Sequence, residues 1–95
     1  MKIYEIKEVE MFEHLIETDN QVVTHLSLKA GSDVPEHDSD FTAIVIPIKG
    51  RIEFSASEEK EIIYPGKIVQ MDPNEMHYLK ALDDSDLIVV KSDLK

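Results

Sequence analysis

The chain has 95 residues, 42% of them hydrophobic and 32% charged. That is one domain's worth of sequence with enough apolar surface to offset the entropy of ordering a single core, which excludes disordered and collagen-like classes. Twenty acidic residues against ten basic ones give a formal net charge of −10, a field that repels phosphate backbones and anionic lipid surfaces, so nucleic acid and membrane are excluded as partners of choice. The chain has no cysteine, so disulfides, thiolate metal sites, cysteine nucleophiles and iron–sulfur ligation are out, and any metal would have to sit on His, Asp or Glu.

The opening Met-Lys-Ile-Tyr-Glu-Ile-Lys lacks the apolar core of a signal peptide, and no run reaches the roughly 18 to 20 apolar residues of a membrane span, so a cytoplasmic location is the expectation. No linker, tandem repeat or Ser/Gly-rich stretch interrupts the chain, and residues 1–95 read as one domain.

In chain order, Met11, Phe12, Leu15 and Ile16 recur at a helical i, i+1, i+4, i+5 spacing, with Glu10, Glu13 and Glu17 between them. This predicts a short amphipathic helix of one to two turns, with a strand as the alternative. From Val22 to Lys29 the period is two, with Val22, Thr24, Leu26 and Leu28 on one face and Val23, His25, Ser27 and Lys29 on the other, the pattern of a half-buried strand. Phe41 to Ile48 is apolar on both faces, which predicts a strand covered on both sides; Ile44, Ile46 and Ile48 then suggest a homodimer interface. Pro47 has no N–H, so this strand should be bulged or unpaired there.

Ile52, Phe54 and Ala56 alternate with Arg51, Glu53 and Ser55, and Leu87-Ile88-Val89-Val90 is a β-branched run suited to a closing strand. Gly31, Pro35, Gly50, Pro65-Gly66 and Pro73-Asn74 cut residues 20 to 95 at the turn spacing of a sandwich or barrel. The acidic runs Glu58-Glu59-Lys60-Glu61 and Asp83-Asp84-Ser85-Asp86 read as solvated turns, since neither has the spacing of a calcium loop. The fold class is all-β.

Two stretches carry a family resemblance. Gly31, His37 and Gly50 fall at the offsets of the first motif of the cupin superfamily, with Ser39 where that motif has its second His and Ala43 where it has its Glu. Gly66 and His77 keep the spacing of the second motif, with Asp72, Asn74 and Ala81 in place of its Pro, Gly and Asn. The chain thus resembles a small single-domain cupin over most of its length, which implies a jelly-roll β-barrel with a ligand site in its mouth.

The resemblance also implies chemistry. Metal-bearing cupins converge three His and one Glu on a divalent ion, and only His37 and His77 remain here. Iron, manganese, nickel or zinc at this place would need further ligands. Asp38 and Asp40 are the nearest carboxylates in sequence, but strand parity points them outward unless a bulge intervenes.

The expected function is small-molecule binding in the barrel mouth through His37, Ser39, Phe41 and His77, without a tightly bound metal. The alternative is a metal-dependent dioxygenase or isomerase. Phe41, Phe54, Met76 and Leu79 are expected on the inner side, either as core or as the pocket's apolar lining. Parity places His25 at the surface or an interface, and His14 in solvent.

Overall fold

Each alternating run of apolar and polar residues forms a strand, because a strand turns successive side chains to opposite faces and can bury just one of them. The computed structural model describes residues 1–95 except Glu8, Glu10, Asp38, Ser39, Ser57, Leu94 and Lys95, and describes Pro35, Glu36 and His37 through the backbone. In chain order the strands are β1 (Phe12–Glu17), β2 (Gln21–Leu28), β3 (Asp33–His37), β4 (Thr42–Lys49), β5 (Ile52–Ala56), β6 (Glu59–Ile63), β7 (Val69–Met71), β8 (His77–Ala81) and β9 (Ser85–Ser92). There is no helix among the described residues, and so none long and apolar enough to cross a membrane.

The strands form a five-stranded sheet in the order β1-β2-β9-β4-β7 and a four-stranded sheet in the order β3-β8-β5-β6, with every pairing antiparallel. Their inner faces share one core. Leu28, Ala43, Val45, Met71 and Leu87 come from the larger sheet, and Ile52, Phe54, Ile63, Leu79 and Ala81 from the smaller. The outer face of the larger sheet carries half-buried Val23, Ile44, Ile46, Ile88 and Val90, and Ile48 beside them is 41% exposed.

The N-terminal helix expected over residues 11–17 is a strand. Phe12 pairs with Leu26 and Glu17 with Val22, and the register shifts between His14 and Ile16. The adjacent apolar pair Leu15-Ile16, which made the pattern look helical, marks a bulge that adds one residue to a period of two. A helix of one or two turns has no such partner to satisfy its backbone, and its nucleation cost is not recovered at that length.

Three further expectations are corrected. Glu59 to Glu61 belong to strand β6, and Glu58 lies in the turn before them, at φ 69°. In the second acidic run, Asp83 pairs with Arg51, Asp84 accepts the Ala30 N–H, Ser85 is buried, and Ser85 and Asp86 open β9. Met76, expected inside, is 44% exposed, because it sits in the turn ahead of β8 where the alternation has not begun. The bulge expected at Pro47 is present, as a register shift between Pro47 and Lys49.

The turn at Gly50 ties the two sheets together at one end of the barrel. The Arg51 guanidinium donates to both Asp83 oxygens, at 2.9 and 3.1 Å, and the Arg51 N–H donates to Asp83 Oδ2 at 3.1 Å. The Ser85 hydroxyl donates to the Asp83 carbonyl at 2.8 Å. These bonds from Arg51 hold the Asp83 carboxyl below its ordinary range, the side-chain bond most of all.

Gly50 has φ +79°, and a Cβ there would meet Ser85 Oγ and, at 2.6 Å, the Asp84 carbonyl oxygen. Gly50→Ala therefore combines a left-handed backbone cost of about 1–2 kcal/mol with a backbone clash. Urea unfolding should show a loss of at least about 2 kcal/mol, and a loss below about 0.5 kcal/mol would remove the close approach from the account.

Candidate functional site

The barrel mouth is built where β5 ends and β8 begins. Ala56 pairs with His77, Phe54 with Leu79 and Ile52 with Ala81, so one row of inward side chains runs from the closed end to the open one. His77 is 6% exposed. Its ring lies parallel to that of Phe54, with an interplanar angle of 8° and centroids 6.0 Å apart.

His77 Nδ1 lies 3.1 Å from the Glu75 carbonyl oxygen. A carbonyl oxygen can only accept, so Nδ1 carries the proton, and in the neutral ring Nε2 is the acceptor. The turn before β8 fixes this arrangement. The Glu75 N–H donates to the Asp72 carbonyl and the Asp72 N–H to Glu75 Oε1, each at 3.3 Å, around Asn74 at φ 66°.

The other expected site residues are placed unequally. The backbone of His37 stands opposite His77 across the β3–β8 ladder, as the motif spacings implied. Val34 pairs with Leu79, so three residues on β3 match two on β8 and the register shifts between Val34 and His37. That bulge, at a segment containing Pro35, sets the His37 backbone opposite that of His77 after Val34 has packed on the core. Phe41 is half-buried immediately ahead of β4. Ser39 and the side chain of His37 lie outside the described residues, as does Asp38. Asp40 is exposed.

Two cavities adjoin this row. One of about 390 Å³ is bordered by Ser55, Ala56, Lys60, Met76, His77 and Tyr78, and a smaller one of about 180 Å³ by Phe54, Met71, Gln70, Glu59, Glu61 and Glu75. Glu59 and Glu61 were missed as lining residues because they sat in a run taken for a turn. The alternation Glu59-x-Glu61-x-Ile63 is the signal that could have found them, since Ile63 is buried in the core on the same face. A larger cleft of about 1040 Å³ lies elsewhere, between Ile6, Lys7 and Val9 and the strand ends of the larger sheet at Ser27, Lys29, Lys49 and Asp86. It holds no imidazole, and size alone does not make it the site.

Among the described residues no group of three or more His, Asp or Glu is placed to hold a metal ion. Ala43, at the position where the resemblance implies a Glu ligand, is buried in the core.

No family model matches the sequence, and no curated protein sequence matches it. Solved structures do match. An RmlC-like cupin from Methanocaldococcus jannaschii with a double-stranded β-helix fold superposes with a TM-score of 0.85 at 26% identity, over 97% of this chain and 90% of that one. An RmlC-like cupin from Desulfovibrio desulfuricans gives a TM-score of 0.85 at 19% identity, over 97% and 96% of the two chains. KdgF from a Halomonas species gives 0.82 at 21% identity, over 88% and 78%. Two antiparallel sheets closed around one core, matched over nearly the whole chain, give this protein the fold of the cupin superfamily.

At the mouth, the Lys67 ammonium donates to Glu61 Oε2 at 2.8 Å. That bond, and then the lysine's charge, hold the Glu61 carboxyl below its ordinary range. The pairing therefore favours the folded state above the range in which an unpaired Glu titrates, and is lost as pH falls through the lowered value. In Lys67→Ala the Glu61 titration, followed by carboxyl-carbon NMR, should move up towards that of an ordinary glutamate; an unchanged midpoint would mean that the ion pair does not persist in solution.

Proposed function

We propose that the protein binds a small molecule at the barrel mouth, between His37 and His77, with Ser39 and Phe41 as further contacts and without a tightly bound metal. The observation that carries this reading is the state of His77. Its ring is enclosed against Phe54, its Nδ1 is committed to the Glu75 carbonyl, and it borders a cavity. One oriented polar group over an apolar floor is the ordinary form of a small-molecule site. The backbone pairing of His37 with His77 supports a second imidazole there, and Ala43, buried in the core where the resemblance implies a Glu ligand, favours binding without a metal over the dioxygenase or isomerase reading.

A metabolite screen by thermal shift should identify stabilising ligands. His77→Ala should then weaken binding about tenfold, the worth of one well-made hydrogen bond to a ligand, and His37→Ala by a similar factor. Retained affinity in both variants would place the ligand elsewhere. Metal content of untagged protein should fall well below one equivalent per chain. Near-stoichiometric metal that disappears in the double variant would favour the enzyme reading instead.

We also propose a homodimer through the outer face of the larger sheet. Support comes from Ile44, Ile46, Ile88 and Val90 side by side on β4 and β9, an apolar surface of the kind that subunit contacts cover. Ile46→Glu should convert the dimer to a monomer by light scattering, and an unchanged mass would discard this interface.

A further inference from the structure

The cleft of about 1040 Å³ exceeds both mouth cavities and shares no lining residue with either. One wall is the chain ahead of β1, and the other is built where β2 and β4 end and β9 begins. The register shift after Pro47 leaves Ile48 outside the β4–β9 pairing, beside Lys49 opposite Asp86. Ile48 is 41% exposed, and across the cleft Ile6 is 39% and Met11 60% exposed. Three open apolar side chains around one concavity are a surface that a soluble chain keeps for a contact.

Charge gathers at the same place. Three of the chain's ten basic residues, Lys7, Lys29 and Lys49, border the cleft. Among the described residues none of the three is in an ion pair, whereas Arg51, Lys60 and Lys67 each hold a carboxylate. The two carboxylates that share the cleft are already engaged. Asp84 Oδ1 accepts the Ala30 N–H at 2.9 Å. Asp86 Oδ1 lies 2.9 Å from His25 Nε2. His25, expected at the surface or an interface, is 1% exposed, with Glu13 Oε1 3.5 Å from its Nδ1. Three ammoniums against two carboxylates leave the described lining one positive charge, in a chain of net charge −10.

We propose that this cleft is a second ligand site and takes an aliphatic monocarboxylate. The alkyl chain lies against Ile6, Met11 and Ile48, and the carboxylate sits among Lys7, Lys29 and Lys49. One positive charge on the lining balances a monoanion, and a phosphate dianion would leave a surplus of negative charge. The negative field of the whole chain opposes an anionic lipid surface or a nucleic acid as the source of that group, so the occupant is a free molecule. Apolar walls supply the affinity and the lysines choose the head group.

The test is a titration of the intact protein with decanoate, followed by amide NMR shifts. The amides of Ile6, Leu28, Lys29, Ile48 and Lys49 should move, and those of Ala56 and His77 at the mouth should not. From hexanoate to decanoate the affinity should rise about fourfold per added CH₂, the worth of burying one methylene. Decyltrimethylammonium, with the same chain and the opposite head group, should bind at least about tenfold more weakly than decanoate. Lys29 and Lys49 are both exposed, so the double variant Lys29→Gln, Lys49→Gln should fold normally and lose about tenfold in decanoate affinity. Unmoved cleft amides, shifts centred on the mouth, equal affinity for the two head groups or an unchanged double variant would each overturn the proposal. Cleft amides that move on dilution of the protein alone would mean that a second copy of the chain covers the cleft, which overturns it too.

Discussion

Everything in this barrel rests on the filling of its closed end, where Ile52, Ile63 and Leu87 are completely enclosed between the two sheets. Two of these side chains come from the smaller sheet and one from the larger, so the sheets cannot part without exposing all three to water. The same strands carry the mouth. On β5 and β8, Ile52 and Ala81 make one rung and Ala56 and His77 another, about 13 Å further along at the rise of an extended chain. A rigid floor and a small-residue rim on the same pair of strands are what hold the His77 ring in place.

The second constraint is the set of places where alternation is broken. β1, β3 and β4 each contain a register shift, next to Leu15, within the segment after Val34 and after Pro47. A bulge returns a strand to the wanted face after an odd number of residues. On β3 the shift follows Val34, which packs on the core, and leaves the His37 backbone opposite that of His77.

Charge is distributed unevenly over this frame. Glu59, Glu61 and Glu75 border the smaller mouth cavity, where Lys67 offsets Glu61 alone. Lys7, Lys29 and Lys49 instead gather around the cleft beside the N-terminal segment. In a chain with ten more acids than bases, the mouth therefore keeps the sign of the whole molecule, while around the cleft the three lysines offset Asp84 and Asp86.

The strands β2, β4, β5 and β9 and the turn at Gly50 were legible in the sequence, because period-two burial and a positive-φ glycine leave their mark on residue type. The motif spacing also pointed to the backbone pairing of His37 with His77. Strand β1 was open between two readings, and β6 was hidden, because short acidic stretches look alike whether they form a solvated turn or an edge strand. Neither the burial of His25 nor its position between Glu13 and Asp86 could be read from the chain. Parity places a residue on a face, but what covers that face depends on which strands become neighbours, and β2 gains β1 and β9 only when the sheet assembles.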